Sequence, residues 1–173
     1  DPEPASTADP RLDRLIEPPL VAAVGPPNVG KSTLLNALAG RSVALAADQP
    51  GTTRDHVGAT LELDGLTVRY LDLPGLDPGA AGPDAEAQNL ARAAVRTADL
   101  VLLCADASAP PPDPAGLVPG GTPVLRAALR TDLGGAAFAA DASVCAPRRE
   151  GLTGLAVLVR RALVPDEALA DPR

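Results

Sequence analysis

The segment GPPNVGKS at residues 25–32 constrains the fold of this chain more than any other feature. It fits the pattern G-x-x-x-x-G-K-S/T and lies between the apolar run Leu20–Val24 and a helix predicted over Thr33–Ala39. A strand, a glycine-rich loop and a helix in this order are typical of the phosphate-binding loop of P-loop proteins. The alternative is a glycine-rich turn between a strand and a helix that binds nothing.

Each residue type in this loop has a defined task when phosphates bind. Glycines let the backbone close around the β-phosphate, and the N–H groups of the loop and the helix N-terminus supply partial positive charge. Lys31 is expected to reach the β- and γ-phosphates, and the Ser32 hydroxyl to bind Mg²⁺. Lys31 is the only lysine of the chain, and a compact ammonium suits this position better than a planar guanidinium. The expected nucleotide contacts here are Asn28, Val29, Gly30, Lys31, Ser32 and Thr33.

In the rest of the chain, short apolar runs typical of strands alternate with segments that have the periodicity of a helix. Strands are predicted over 60–63, 67–71, 100–105, 124–129 and 143–145, and helices over 84–98, 133–140 and 152–163. Strands that alternate with helices favour an α/β fold with a mainly parallel sheet covered on both faces. We therefore predict a Ras-like P-loop NTPase fold with six strands.

Three segments without a regular period are predicted to be loops. Residues 41–58 and 74–83 are interpreted as functional loops. The proline- and glycine-rich stretch Pro110–Gly121 is expected to replace a helix with extended chain.

Charge and composition exclude several other kinds of protein. The net charge of −7 argues against a broad nucleic-acid surface. Cys104 and Cys145 lack the spacing of metal ligands and are interpreted as reduced, buried thiols. The sequence shows neither a signal-peptide pattern nor an apolar run near the ~20 residues of a membrane helix. The expected location is the cytoplasm, with no membrane partner.

A second phosphate-site motif follows the hairpin that Asp64-Gly65 predicts. Asp72-Leu-Pro-Gly75 fits D-x-x-G, in which Asp72 would hold Mg²⁺ through water and the Gly75 N–H would contact the γ-phosphate. The next residue is Leu76, where a Ras-like GTPase has a glutamine that orients the attacking water. Because leucine can neither donate nor accept a hydrogen bond, another group must position that water.

Asp132 is the candidate that selects guanine. The segment Leu129-Arg-Thr-Asp132 follows a predicted strand where a GTPase has N-K-x-D. One carboxylate can accept both N1–H and N2–H of guanine but is repelled by the acceptor at N1 of adenine, which argues against an ATPase. The alternative is an aspartate that caps a helix. The Arg130 stem could cover the purine, whereas Leu129 cannot make the contacts of the amide. After the last strand, Cys145 and Ala146 are assigned to the base, with the Ala146 N–H directed at guanine O6.

Taken together, these motifs resemble the TrmE–Era–EngA group of GTPases. The residues that carry the resemblance are the phosphate loop, LLNALAG at 34–40, PGTTRD at 50–55 and DLPGL at 72–76. They are most similar to the tRNA-modification GTPase family MnmE/TrmE. The resemblance covers about residues 20–163 and is weaker over 106–142. It implies a GTP-binding domain at 20–164. The prolines and charges of residues 1–19 predict a mostly disordered leader, with at most a helical turn near Leu12–Ile16, and the polar residues 165–173 predict a frayed tail.

The resemblance also implies GTP hydrolysis assisted by Mg²⁺ and K⁺. Asn28 would bind K⁺ through its side-chain oxygen, and backbone carbonyls around 48–51 would complete that site. Thr52 or Thr53 would complete the Mg²⁺ shell; we assign Thr53 to the metal and Thr52 to the nucleotide. Glu86 would orient the attacking water, and the alternative is a first-turn carboxylate favoured by the helix dipole. The catalytic set is Lys31, Thr53 and Glu86.

The partners implied by the resemblance are a guanine nucleotide and a second G domain that pairs across loops 41–58 and 74–86. In the family, tRNA modification also requires a folate-binding domain, a helical domain and a C-terminal cysteine motif. The motifs that carry the resemblance belong to the G domain and to none of these parts. The alternative is a degenerate G domain that binds GDP or GTP with little turnover. The altered residues at 129 and 130 and the short 106–142 region favour that alternative.

Overall fold

A six-stranded sheet in the order β2-β3-β1-β4-β5-β6 organises the domain. The computed structural model describes residues 11–41, 57–74 and 83–170. The strands are β1 Leu20–Val24, β2 Val57–Leu63, β3 Leu66–Asp72, β4 Leu100–Asp106, β5 Val124–Leu129 and β6 Ala142–Val144. Only β2 runs antiparallel to its neighbour. The predicted α/β fold with a mainly parallel sheet of six strands is confirmed.

Helices cover both faces of this sheet. They are α1 Lys31–Ala39, α2 Pro83–Thr97, α3 Leu152–Leu163 and α4 Asp166–Ala170, with 3-10 helices at Leu12–Leu15, Thr131–Leu133 and Ala146–Arg148. Alternate residues of β1 enter different cores: Val21 packs in the cluster that contains α1 and α3, and Ala22 packs in the cluster that contains α2. Because both faces are buried, β1 and β4 are apolar along almost their whole length.

The segment between β4 and β5 covers the α2 face without a helix. Leu117 and Val118 pack against the same cluster as α2, and both backbone N–H groups donate to the Pro114 carbonyl. Proline-rich chain with turns therefore covers this face where the sequence has no helix.

One predicted helix is wrong. Residues 133–140 contain only the end of the 3-10 helix Thr131–Leu133 and then irregular chain. Gly134 has a φ of 151°, and the Ala137 N–H donates to the Ala107 carbonyl at 2.7 Å instead of to a helical partner. Two consecutive glycines disfavour a helix at this point, and the bond to the β4 exit holds the chain extended.

Both ends of the described chain contact the domain. In the predicted leader, Leu12–Leu15 forms a 3-10 helix, and Arg14 Nη1 donates to the Leu163 carbonyl at 2.7 Å. In the predicted polar tail, α4 is fixed by Asp166, which accepts a 2.6 Å hydrogen bond from Arg160. The disordered state predicted for residues 1–10 lies outside the described residues. None of the helices in the described part of the chain has both the length and the apolar character of a membrane span.

Candidate nucleotide-binding site

The loop between β1 and α1 has the backbone geometry of an anion cradle. Asn28 and Gly30 both have positive φ, at 61° and 105°, which asparagine and glycine tolerate better than other residues. The first hydrogen bond of α1 runs from Leu34 N to Gly30 O, so the N–H groups of 31–33 have no partner within the helix. Gly30 contributes no capping side chain. N–H groups at a helix N-terminus can bind an anion, and those of 31–33 therefore form a candidate phosphate site.

Lys31 lies against this loop and is almost buried. Its side chain is 7% exposed, and Nζ donates to the carbonyls of Gly25 and Pro26 at 3.1 and 2.9 Å. Burial lowers the pKa of the ammonium, while the nearby carboxylate of Asp72 opposes that change. The loop thus fixes a cation beside the N–H groups of 31–33, which have no partner within α1.

Two of the three residues predicted to hold Mg²⁺, Ser32 and Asp72, lie together. Ser32 Oγ donates to Asp72 Oδ2 at 2.5 Å, which joins the first turn of α1 to the end of β3. The described residues hold no group of three or more histidine, cysteine or acidic side chains that could bind a metal alone. A hydroxyl and one carboxylate are hard oxygen ligands that fit Mg²⁺, which usually takes its other ligands from phosphates and water. The pair therefore fits a metal that arrives with a nucleotide.

A cavity of about 210 Å³ opens beside the loop. It brings together the phosphate loop, the start of α1 and the segments that follow β5 and β6. Its lining residues are Asn28, Gly30, Thr33, Leu129, Arg130, Ala146 and Pro147. The carboxyl ends of parallel strands are where α/β sheets bind ligands, and the base-contacting residues predicted from the sequence at 130 and 146 meet here.

Two backbone hydrogen bonds join the ends of the loop after β6. Cys145 N donates to Glu150 O at 3.1 Å and Glu150 N donates to Cys145 O at 3.2 Å. Cys145 is buried beneath this loop, while Ala146 lines the cavity. A Cβ at Gly151 would be 2.1 Å from the Ser143 carbonyl oxygen, so the chain can return to α3 at this point only through glycine.

Asp106 is a charged group at this site that the sequence analysis missed. Its Oδ2 lies 3.2 Å from Arg130 Nη1. Its Oδ1 accepts hydrogen bonds from the N–H and the hydroxyl of Ser108, and these bonds, with the charge of Arg130, lower the pKa of the carboxyl. The signal was present in the sequence as an acidic residue at the end of a buried strand, but its partner depends on the pairing of β4 with β5.

Of the other predicted site residues, Asp132 and Glu86 are exposed, Val29 is buried, and the rest lie outside the described residues. Asp132 lies in the 3-10 helix after β5, is exposed and is not among the residues that line the cavity. Glu86 lies in the first turns of α2 and is exposed. Val29 is buried in the α1 core, so its backbone alone can reach a ligand. The predicted roles of Thr52, Thr53, Gly75 and the carbonyls of 48–51 concern residues outside the described ranges.

Residues 20–118 match the family described as 50S ribosome-binding GTPase. The chain is 43% identical over 148 residues to the tRNA modification GTPase MnmE of Acidiphilium cryptum, which covers 86% of this chain and 34% of that protein. It is 45% identical over 113 residues to MnmE of Mesorhizobium japonicum, covering 65% of this chain and 25% of that protein. The chain thus spans about a third or less of these curated relatives.

Solved structures share the fold. A variant of Aquifex aeolicus Era bound to GDP·AlF4⁻ superposes with a TM-score of 0.61 and 25% identity, over 90% of this chain and 58% of that one. The cytosolic domain of the T. maritima FeoB iron transporter in its GMPPNP form gives a TM-score of 0.58 and 26% identity, over 83% of this chain and 63% of that one.

Proposed function

This chain belongs to the 50S ribosome-binding GTPase family, and we propose that it binds GTP and hydrolyses it to GDP and phosphate with the help of Mg²⁺ and K⁺. The observation that carries the proposal is the convergence of Lys31, Ser32 and Asp72 at the start of α1. That arrangement offers a cation, a hydroxyl and a carboxylate beside helix N–H groups that have no partner within α1. A triphosphate needs all of these contacts at once.

The chain's own residues would stabilise the charge that moves during hydrolysis. The Lys31 ammonium and the N–H groups of 31–33 would bind the β- and γ-phosphate oxygens, on which negative charge is redistributed in the transition state. Ser32 and Asp72 would hold Mg²⁺, which when bound neutralises charge on the β- and γ-phosphates. Water adds to the γ-phosphorus as the bond to the β-γ bridging oxygen breaks.

Asn28 is the proposed K⁺ ligand. It lies in the phosphate loop in the left-handed conformation, is exposed, and lines the cavity beside the loop. A monovalent cation bound there would add positive charge near the phosphates. Because leucine follows the D-x-x-G motif, we assign the positioning of the attacking water to Glu86, and the completion of the Mg²⁺ shell to Thr53.

Guanine is the proposed base. Arg130 and Ala146 line a cavity next to the phosphate loop, and Asp132 follows Arg130 by two residues. A carboxylate that accepts from N1–H and N2–H would favour guanine over adenine.

We also propose that the domain pairs with a second copy across loops 41–58 and 74–86, that it works in the cytoplasm, and that tRNA modification is the process it serves. The last of these follows from the similarity to MnmE.

The test is GTP hydrolysis in K⁺ against Na⁺ at several protein concentrations. The unsubstituted chain should hydrolyse GTP faster in K⁺, and the rate per molecule should rise with concentration. Asn28→Ala should abolish the K⁺ effect, whereas Asn36→Ala, which changes an exposed asparagine of α1, should keep it. Equal rates in K⁺ and Na⁺ would exclude the cation-assisted mechanism.

A second candidate function is a nucleotide-binding module with little turnover. Leu129 favours it, because the residue that replaces the amide of N-K-x-D is only 2% exposed and has an apolar side chain. Tight GDP binding with hydrolysis that responds to neither K⁺ nor protein concentration would establish this function and overturn the first.

A further inference from the structure

Arg130 leaves β5 with an unusual backbone conformation. Its φ and ψ are 58° and 38°, in the left-handed region, which is strained for a residue other than glycine or asparagine and often marks a functional position. The turn brings the side chain back toward the phosphate loop: a Cβ at Gly30 would lie 3.9 Å from Arg130 Cγ. The arginine stem therefore lies over the last residue of that loop.

The far end of the same side chain is held by Asp106. Asp106 Oδ2 lies 3.2 Å from Arg130 Nη1, while the other carboxylate oxygen accepts from Ser108 N at 2.9 Å and from Ser108 Oγ at 2.8 Å. The two oxygens thus have separate tasks: Ser108 fixes the carboxylate, and the carboxylate fixes the guanidinium.

The pairing of β4 with β5 places these two residues side by side. Asp106 pairs with Leu129 in the register of β4 and β5, and Ala107 N donates to the Leu129 carbonyl at 2.9 Å just beyond it. The carboxylate and the arginine therefore project from neighbouring strand ends whose spacing the sheet sets.

Arg130 is held but not covered. Its side chain is 49% exposed, and it lines the cavity of about 210 Å³ beside the phosphate loop. A guanidinium is planar and stacks on aromatic rings. The Leu129 side chain offers a bound base no polar contact. Where Leu129 and Arg130 line the cavity, stacking of the Arg130 guanidinium on the base is therefore the main favourable interaction.

We propose that Asp106 is a positioning residue for the nucleotide base: it holds the Arg130 guanidinium as a flat platform on which the purine stacks. This rests on the proposed function, since it requires a nucleotide in the site. Stacking does not distinguish one purine from another, so the platform supplies affinity and leaves the choice of guanine to Asp132.

The experiment compares GDP affinity by calorimetric titration. Asp106→Asn should weaken GDP binding about fivefold, the upper range for a partly exposed ion pair. Asp113→Asn is the matched control, because Asp113 also accepts a backbone N–H, from Ala115 at 2.9 Å, but among the described residues Arg130 forms its ion pair with Asp106 and not with Asp113. It should leave GDP affinity unchanged.

Two further measurements separate positioning from general damage to the site. Affinity for pyrophosphate, which has no base, should be the same in Asp106→Asn and in the unsubstituted chain. In an Arg130→Gln background, Asp106→Asn should cause no further loss of GDP affinity, because its effect runs through Arg130. Arg130→Lys keeps the positive charge but not the planar face, and it should also weaken GDP binding.

The outcomes differ for the two proposals. Unchanged GDP affinity in Asp106→Asn, an equal loss of GDP and pyrophosphate, or additive losses in the double variant would overturn the positioning role alone. An unsubstituted chain that binds no GDP would overturn the proposed function and this role with it. If thermal melting shows that Asp106→Asn does not fold, Ser108→Ala, which removes one bond to the carboxylate, replaces it with the same expected direction and a smaller effect.

Discussion

Gly25 approaches Cys104 so closely that a Cβ at position 25 would lie 2.0 Å from the Cys104 carbonyl oxygen. The first residue of the phosphate loop and the strand β4 therefore share a space that only a hydrogen atom can fill. The Gly25 carbonyl accepts a hydrogen bond from Lys31 Nζ at 3.1 Å, so the same residue contacts both β4 and the lysine of the loop.

Replacing Gly25 should destabilise the fold strongly. Gly25→Ala forces a methyl group into the β4 backbone, and we expect a loss of about 3 kcal/mol in the free energy of unfolding. Gly154→Ala is the control, because a Cβ there meets nothing within 4 Å and alanine favours the interior of α3; it should add up to about 1 kcal/mol. Urea unfolding measures both. Equal effects of the two changes would contradict the packing argument.

The pKa of Lys31 should be lowered and should be measurable directly. Because it is the chain's only lysine, a single lysine side-chain NMR signal reports its titration. Desolvation lowers the pKa of Lys31 below 10.5, and GDP should raise it by supplying negative charge. A midpoint at or above 10.5 without nucleotide would show that the ammonium is not desolvated.

The same group should make stability increase with pH. Between the lowered pKa of folded Lys31 and the ordinary lysine pKa of 10.5, the unfolded chain binds more protons than the folded chain. The free energy of unfolding should therefore rise with pH through that window. Lys31→Met should remove this contribution, which denaturant unfolding at a series of pH values can detect. The same rise in both proteins would assign it to another group.

Tyr70→Phe should stabilise the protein. Tyr70 is 1% exposed, and within the described part of the chain its hydroxyl has no hydrogen-bond partner. Removing a buried, unpaired hydroxyl should raise the free energy of unfolding by about 1 kcal/mol, whereas Tyr70→Ala should lower it by about 4 kcal/mol through the cavity it leaves. Thermal unfolding distinguishes the two. A loss of stability in Tyr70→Phe would mean that the hydroxyl is bonded.

Both thiols should be unreactive in the folded protein. Cys104 and Cys145 are buried, and burial raises the pKa of the Cys104 thiol to about 12. An ordinary thiol is partly ionised at about pH 8, but at that pH a chromogenic disulfide reagent should react with this chain only as it unfolds. GDP should slow the reaction further by stabilising the folded state. Rapid reaction that GDP does not affect would contradict the burial.

Local signals in the sequence predicted most of the framework. β1, β5 and α3 have the predicted bounds because apolar runs end at glycine, proline or polar residues. The glycines and the lysine of the motif identify the phosphate loop. In the structure Ser32 Oγ donates to Asp72 Oδ2, and the role of the two residues as Mg²⁺ ligands stays a prediction. These features depend on residues that are close in the sequence or on a motif with a fixed spacing.

What sequence reasoning missed depends on contacts between distant segments. The pairing of Asp106 with Arg130 requires the register of β4 with β5, and α4 forms where Arg160 anchors Asp166. The predicted helix over 133–140 failed because the bond from Ala137 to Ala107 outweighs a weak helical periodicity. The roles of Glu86, Thr52, Thr53 and Gly75 stay predictions.

The proline-rich cover between β4 and β5 changes the entropy of folding. A helix in this place would be ordered from a flexible chain by many internal hydrogen bonds, whereas each proline has its φ angle restricted even before folding. Leu117 and Val118 therefore reach the core from a segment that has fewer conformations to lose. Each proline of this segment therefore reduces the conformational entropy that the chain loses when this face of the sheet is covered.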